Sequence, residues 1–251
     1  MIELKSQRDF EKMRRAGQVV AQVLQTLKES VRAGMMTQEL DQIADREIRK
    51  RGGIPVFKGY HGYPASVCVS INDQVVHGIP GRLVIQPHDL VSIDLGAVVD
   101  GFVGDSAFSM FVEEAPSEDA AMLLRVTEES LYAGIAAAQV GARLGDISSA
   151  VQTHVEKHGL SVVRDFVGHG IGRQMHEEPQ VPNYGAPGRG LQLKAGLALA
   201  IEPMINLGGY EVEVKPDGWT VVTKDGSLSA HFEHTIFLTP EGPQILTVLD
   251  R

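Results

Sequence analysis

Four acidic residues and one histidine stand where burial would be costly without a cation to meet them. Asp94 interrupts the otherwise apolar run Leu90–Val99, and Asp105 follows in the next strand-like run, Phe102–Phe111. Between the runs lies Asp100-Gly101, the strongest short-range signal for a two-residue hairpin turn. With those two residues as the turn, residue 99 pairs with 102 and 94 pairs with 107. Asp105 then shares a face with Asp94, one diagonal step away at about 7–8 Å between backbones. Two inward-tilted carboxylates at that spacing can hold one ion. Taken alone, Asp94 can equally cap a turn or pair with an arginine.

The second cluster is Gly168-His169-Gly170-Ile171-Gly172-Arg173-Gln174-Met175-His176-Glu177-Glu178-Pro179. Glycines around His169 permit close backbone approach, and two histidines seven residues apart in such a loop are unusual as core packing. One can ligate a metal while the other faces substrate, and neutral imidazole suits zinc, iron, cobalt or manganese better than magnesium. Two more acids sit in apolar strand-like surroundings. Glu202 follows Leu197-Ala198-Leu199-Ala200-Ile201, and alternation from His231 to Leu238 puts His231, Glu233 and Thr235 on one face. Asp94, Asp105, His169, Glu202 and Glu233 make four carboxylates and an imidazole, a ligand set for a pair of bridged divalent ions. Without a cation the four acids would repel one another and shift each other's pKa values.

The elements that must position these residues are legible in part. Phe10, Met13, Gly17, Val20, Leu24, Leu27 and Val31 form one stripe of a long helix, with Ser6 and Asp9 as its N-cap pair. A second helix is expected from Thr37, carrying Leu40, Ile43, Ala44 and Ile48 inward and stopping at Gly52-Gly53. Strands are expected at 66–71, 90–99 and 102–111, helices from Ser117 to about Val140 and from Asp146 to His158, then strands and loops. Leu83-Val84-Ile85 leads to a strand ending in Asp94, and Leu191-Gln192-Leu193 leads at identical spacing to one ending in Glu202. His-Gly-Ile also occurs at both His77 and His169. Together these echoes suggest two related α/β halves contributing to one site.

Composition excludes several classes. The 251 residues suffice for a sizeable core, and no apolar run approaches the roughly 20 needed to span a bilayer. The net charge of -9 disfavours a general nucleic-acid binder. Residues 1–58 are nevertheless basic, with 12 Lys or Arg against 8 Asp or Glu, which suits either two solvated helices or a face drawn to an anion such as ribosomal RNA. The one cysteine, Cys68, cannot form an internal disulfide, and the N-terminus lacks a signal peptide, so cytoplasm is expected. His154 and His158 are expected on the surface of a charged helix, and His61 and His88 in loops.

Further strings give these fragments a common origin: Tyr60-His61-Gly62-Tyr63-Pro64, Ser70-Ile71-Asn72, His77-Gly78-Ile79-Pro80, Ile201-Glu202-Pro203-Met204 and Glu233-His234-Thr235. Over nearly its whole length the chain resembles the type I methionine aminopeptidases. The resemblance implies an α+β pita-bread fold, with two pseudo-symmetric α/β halves and a curved antiparallel sheet covered by helices. It implies a single catalytic domain over 1–251 with a helical segment, about 1–52, packed on it. It also implies two divalent ions (Co, Mn, Fe or Zn) held by Asp94, Asp105, His169, Glu202 and Glu233, and a monomer removing initiator methionine before a small second residue. His77 and His176 become substrate-contacting histidines and Glu202 a proton shuttle. A slot for the methionine thioether would draw on Phe57, Tyr60, Tyr63, Cys68, Met175 and Trp219. Four positions depart from the family pattern near the site: Phe57, Met175, Ala200 (commonly threonine) and His231 (commonly glutamine). A proline-specific peptidase of the same fold and a non-catalytic binding module are the alternatives.

Overall fold

Ser6 opens the first helix, α1 (Gln7–Ser30), through the expected capping box, its hydroxyl meeting the Asp9 amide while the Asp9 carboxylate accepts from the Ser6 amide. The computed structural model describes residues 2–250; Met1 and Arg251, the ends of the expected 1–251 domain, lie outside the described residues. Helix α2 (Thr37–Lys50) starts at the expected residue, α3 (Glu118–Ala137) follows an N-cap at Ser117, and α4 (Leu144–Glu156) begins two residues earlier than its composition suggested. The earlier start has a clear cause. Asp146 occupies the third helical position and its carboxylate accepts from the Arg143 amide, so it serves the N-terminus from inside the helix.

Nine strands form one antiparallel sheet. Its order runs Ile54–Pro55, Leu90–Val99, Phe102–Phe111, Glu233–Thr239, Ala198–Ile201, Gly168–Gly170, Glu177–Val181, while Cys68–Ile71 also pairs with Leu90–Val99 and Gly242–Ile245 with Glu233–Thr239. The expected strand at 66–71 thus shortens to Cys68–Ile71, because Ser66 spends its amide on the Asp41 carboxylate. Helices α1 and α2 pack on the Leu90–Phe111 hairpin through Val20, Leu24, Leu27, Leu40, Ile93 and Leu95. Helices α3 and α4 cover the other half through Leu131, Ile135, Ile147, Leu199 and Ile236. No helix among the described residues is long and apolar enough to cross a membrane.

The two halves repeat one another contact by contact. Thr37 and Leu144, the first residues of α2 and α4, donate their amides to Leu83 and Leu191, and Gly34 and Gly141 donate to Ile85 and Leu193. In one half the following strand carries Asp94, and in the other Glu202 stands one residue past the strand Ala198–Ile201. The His-Gly-Ile echo does not share this symmetry. His169 stands opposite Ala200, whose counterpart in the first half is Ser92, and Ser92 faces Ser70 rather than His77. That match in the sequence is coincidental, and His77 is instead held at a left-handed φ of 60°.

Three cations of residues 1–58 pair with acids outside that segment: Lys5 with Glu177, Arg14 with Asp250 and Arg15 with Asp100. The face is therefore less basic than the residue count implies.

Candidate metal centre

The hairpin takes the predicted register, with Val99 opposite Phe102 and Asp94 opposite Ala107. Asp100 and Gly101 both adopt positive φ, 50° and 77°, as the two central residues of such a turn must. Asp105 therefore faces Gly96, diagonal to Asp94. Any larger residue at 96 would intrude: a Cβ there would lie 2.6 Å from Val56 Cγ1 and 3.2 Å from both Phe57 Cε1 and Asp105 Oδ1. Gly96→Ala should accordingly cost about 1–3 kcal/mol by overpacking and, by displacing Phe57, change the KM of whatever substrate the adjoining cavity takes. Denaturant titration and initial-rate kinetics check the two effects separately.

The remaining acids arrive on the neighbouring strands. Glu233 pairs in register with Ala107, and the crossing is fixed by hydroxyls: Thr235 Oγ1 donates to the Asp105 carbonyl at 2.7 Å and accepts from the Asp105 amide, while Ser106 Oγ donates to the Glu233 carbonyl. Asn183 Nδ2 donates to the Glu202 carbonyl at 3.0 Å. His169 Nδ1 is tied to the Gly170 carbonyl, and its Nε2 lies 3.4 Å from Glu202 Oε1. Ligand atoms of Asp105, His169 and Glu233 all lie within 4.8 Å of one another. Ser106, Thr235 and Asn183 are supports that the sequence did not single out as such, since a small hydroxyl or amide in an apolar run carries no signature of its partner.

Electrostatically this is an environment built for cations. Burial, followed by repulsion from Asp105 and Glu202, pushes the Asp94 carboxyl well above its ordinary range, and Glu202 and Glu233 rise for the same two kinds of reason. Asp105 is pushed up to about 7 by burial, against hydrogen bonds from the Ser106 amide and Asp94. His169 falls to about 3, again chiefly through burial, and is neutral. Asp94 Oδ1, Asp105 Oδ1 and Glu233 Oε1 are buried without a hydrogen-bond partner in the protein. Buried carboxylate oxygens left unmatched are expensive, and divalent ions would satisfy all three. The donor set fits the metals expected of it.

Above the acids lies a cavity of about 170 Å³. All the expected pocket residues line it: Phe57, Tyr60, Tyr63, Cys68, Met175 and Trp219, together with His77 and His176. Phe166, Val76, Val167 and Met204 complete the wall; their apolar side chains gave no reason to single them out. Trp219 meets Tyr63 edge-on at 5.1 Å and is steadied by Asp217, whose Oδ1 accepts from the Trp219 amide. His176 Nδ1 is 2.7 Å from the Tyr60 hydroxyl, and its ring contacts that of His169 at 4.3 Å. His77 packs edge-on against Phe166, and burial lowers its pKa to about 4. Buried His231 places Nε2 3.9 Å from Glu202 Oε2, and Ala200, also buried, lies opposite both His169 and Thr235. His61 sits exposed in a short 3-10 turn, and His88 bonds the Glu114 carbonyl.

Residues 11–240 match the model of metallopeptidase family M24. The chain is 53% identical to the methionine aminopeptidase of Clostridium perfringens over 249 residues, 99% of this chain and 100% of that one. It is 52% identical to methionine aminopeptidase 1 of Bacillus subtilis, covering 98% and 99% of the two chains. The crystal structure of the Thermotoga maritima methionine aminopeptidase superposes with a TM-score of 0.97 at 46% identity, covering 99% and 100%. Prolidase from Pyrococcus furiosus shares the fold alone, with a TM-score of 0.80 at 20% identity over 99% of this chain and 66% of its own. Buried acids, neutral histidine and full-length similarity converge: the chain belongs to metallopeptidase family M24, in its methionine aminopeptidase branch.

Proposed function

We infer that this chain removes the N-terminal methionine from peptides and nascent proteins by metal-dependent hydrolysis. The observation that carries the inference is the meeting of four carboxylates and a neutral imidazole, three of their oxygens unmatched, at the floor of an aromatic-walled cavity. Asp94, Asp105, His169, Glu202 and Glu233 would hold two divalent ions, because four carboxylates carry more charge than one such ion offsets; manganese, iron, cobalt and zinc all suit the donors. When bound, the ions supply Lewis acidity for water and carbonyl activation.

The chain's own residues supply the rest. Glu202, beside His169 and His231, takes the proton of the attacking water and delivers it to the leaving amine. A Tyr60 hydroxyl donating to His176 Nδ1 fixes the neutral tautomer with its proton on Nε2, ready to donate to the carbonyl oxygen as negative charge develops. His77, which also lines the cavity, contacts the scissile amide. The thioether side chain packs among Phe57, Tyr63, Cys68, Met175 and Trp219, whose soft and aromatic atoms suit sulfur. A small second residue is the expected preference, and a monomer acting in the cytoplasm the expected setting. Loss of the Tyr60 hydroxyl in Tyr60→Phe should lower kcat about tenfold, the equivalent of one hydrogen bond of roughly 1.4 kcal/mol, with metal content unchanged in elemental analysis.

The deciding assay strips the protein of metal, restores manganese or cobalt, and compares Met-Ala-Ser with Ala-Pro-Ala. Metal-dependent methionine release from the first peptide alone is expected. Cleavage before proline would reassign the chain to the proline-specific branch, and metal binding without either cleavage would make it a binding module. Ribosome contact through residues 1–58 predicts salt-sensitive co-sedimentation; co-sedimentation that is absent or indifferent to salt would overturn it.

A further inference from the structure

Helices α3 and α4 carry a second cluster of metal-ligating side chains, away from the sheet that bears the active centre. His154 lies in the last turn of α4 and His158 two residues beyond its end, four positions on and still on the same face. Glu129 reaches across from α3. Ligand atoms of Glu129, His154 and His158 all lie within 4.8 Å of one another, and all three residues are half-buried rather than fully exposed as the charged sequence had suggested. His154 Nε2 is 3.0 Å from Glu129 Oε2, and the two imidazole rings stand 5.7 Å apart.

We propose that Glu129, His154 and His158 form a second metal site, for zinc or a similar borderline divalent cation, which clips the end of α4 to α3. Two imidazoles and one carboxylate favour zinc, nickel, copper or cobalt over magnesium and calcium, and three protein ligands leave one or more positions to water. His158 is available as a neutral ligand near pH 7. Desolvation, then the charges of Lys157 and Arg125, hold His158 below its ordinary pKa. The present partners can yield. Arg125 Nη1 donates to both Glu129 oxygens, at 2.9 and 3.1 Å, from an exposed side chain in a pair of the kind that contributes little. Lys157 Nζ lies 3.3 Å from His154 Nδ1 and is likewise exposed. Metal entry replaces the proton that His154 Nε2 shares with Glu129; that proton passes to solvent or to Nδ1, and Lys157 turns away. The site does not depend on what the active centre hydrolyses.

Equilibrium dialysis of the full chain against micromolar free zinc, followed by elemental analysis, tests it. The wild-type chain should retain one zinc more per chain than His154→Ala or His158→Gln. Both variants should release methionine at the wild-type rate, since neither residue touches the cavity. The second substitution alters a side chain beyond the helix end, so folding is expected to survive even if His154→Ala disturbs the helix pair. Thermal unfolding gives an independent readout, with zinc raising Tm in wild type more than in the variants. Equal zinc content in wild type and His158→Gln, with an equal Tm response, would overturn the proposal.

Discussion

Asp105→Asn should abolish methionine release while making the metal-free protein more stable than its parent. Asparagine keeps the shape of the side chain and both backbone contacts to Thr235, so the sheet crossing survives. What disappears is one negative charge from a buried group of four, and with it an oxygen that has no partner in the protein. A lost ligand removes metal, and activity should fall by at least about a hundredfold, more than the roughly 10–100-fold typical of losing a residue that only supports a ligand. The stability effect runs the other way because the buried acids repel. In the metal-free parent, Asp105 is raised from 3.8 to about 7. Between those values the native state binds more protons than the unfolded chain, so stability must fall as pH rises through that window. Asp105→Asn should flatten this slope and raise Tm by several degrees near pH 8, about 2–4 °C for each kcal/mol in a chain of this size. Excess manganese should reverse the order, stabilising the parent more than the variant. Denaturation curves at pH 5 and pH 8, with and without metal, check all three statements. A variant that binds metal normally, or a metal-free parent that gains stability with rising pH, would remove Asp105 from the ligand set.

The acids were legible because each violates its surroundings. A carboxylate within an apolar strand needs a partner, and the Asp-Gly turn by itself dictates where Asp94 and Asp105 stand. The cap of α1 was readable because Ser6 and Asp9 act over three residues, whereas the Asp146 bond to Arg143, equally local, was missed, and the start of α4 was placed two residues late. Long-range pairing was not readable. Nothing local says that Thr235 bonds the Asp105 backbone, or that His176 meets Tyr60 across 116 positions. The two-halves echo succeeded where it followed strand spacing, in the matched contacts of Leu83 and Leu191, and failed where it rested on three letters around His77. The pair His154 and His158 passed as a solvated helix face, because Glu129 lies on another helix and its approach is a property of packing alone.

His176→Ala should lower kcat by about 10²–10³, the range for losing one donor to a developing oxyanion, or roughly 2.7–4 kcal/mol. Three features of the site support an effect of that size. The imidazole lines the cavity above the acids, between the rings of Tyr60 and His169. Burial, then the charge of His61, lowers its pKa, which keeps it a neutral donor. The Tyr60 bond at 2.7 Å orients the ring before substrate arrives, so little reorganisation is needed at the moment of reaction. The competing explanation is structural: the His176 ring packs on that of His169 at 4.3 Å, and its loss could loosen a metal ligand instead. The two explanations separate in one set of measurements. A donor role lowers kcat with KM and metal content nearly unchanged, and His176→Gln, which keeps an N–H, recovers part of the rate. A packing role lowers metal affinity first, and excess manganese then restores the rate of His176→Ala. A fall in kcat of less than tenfold at saturating metal would exclude His176 from the oxyanion position.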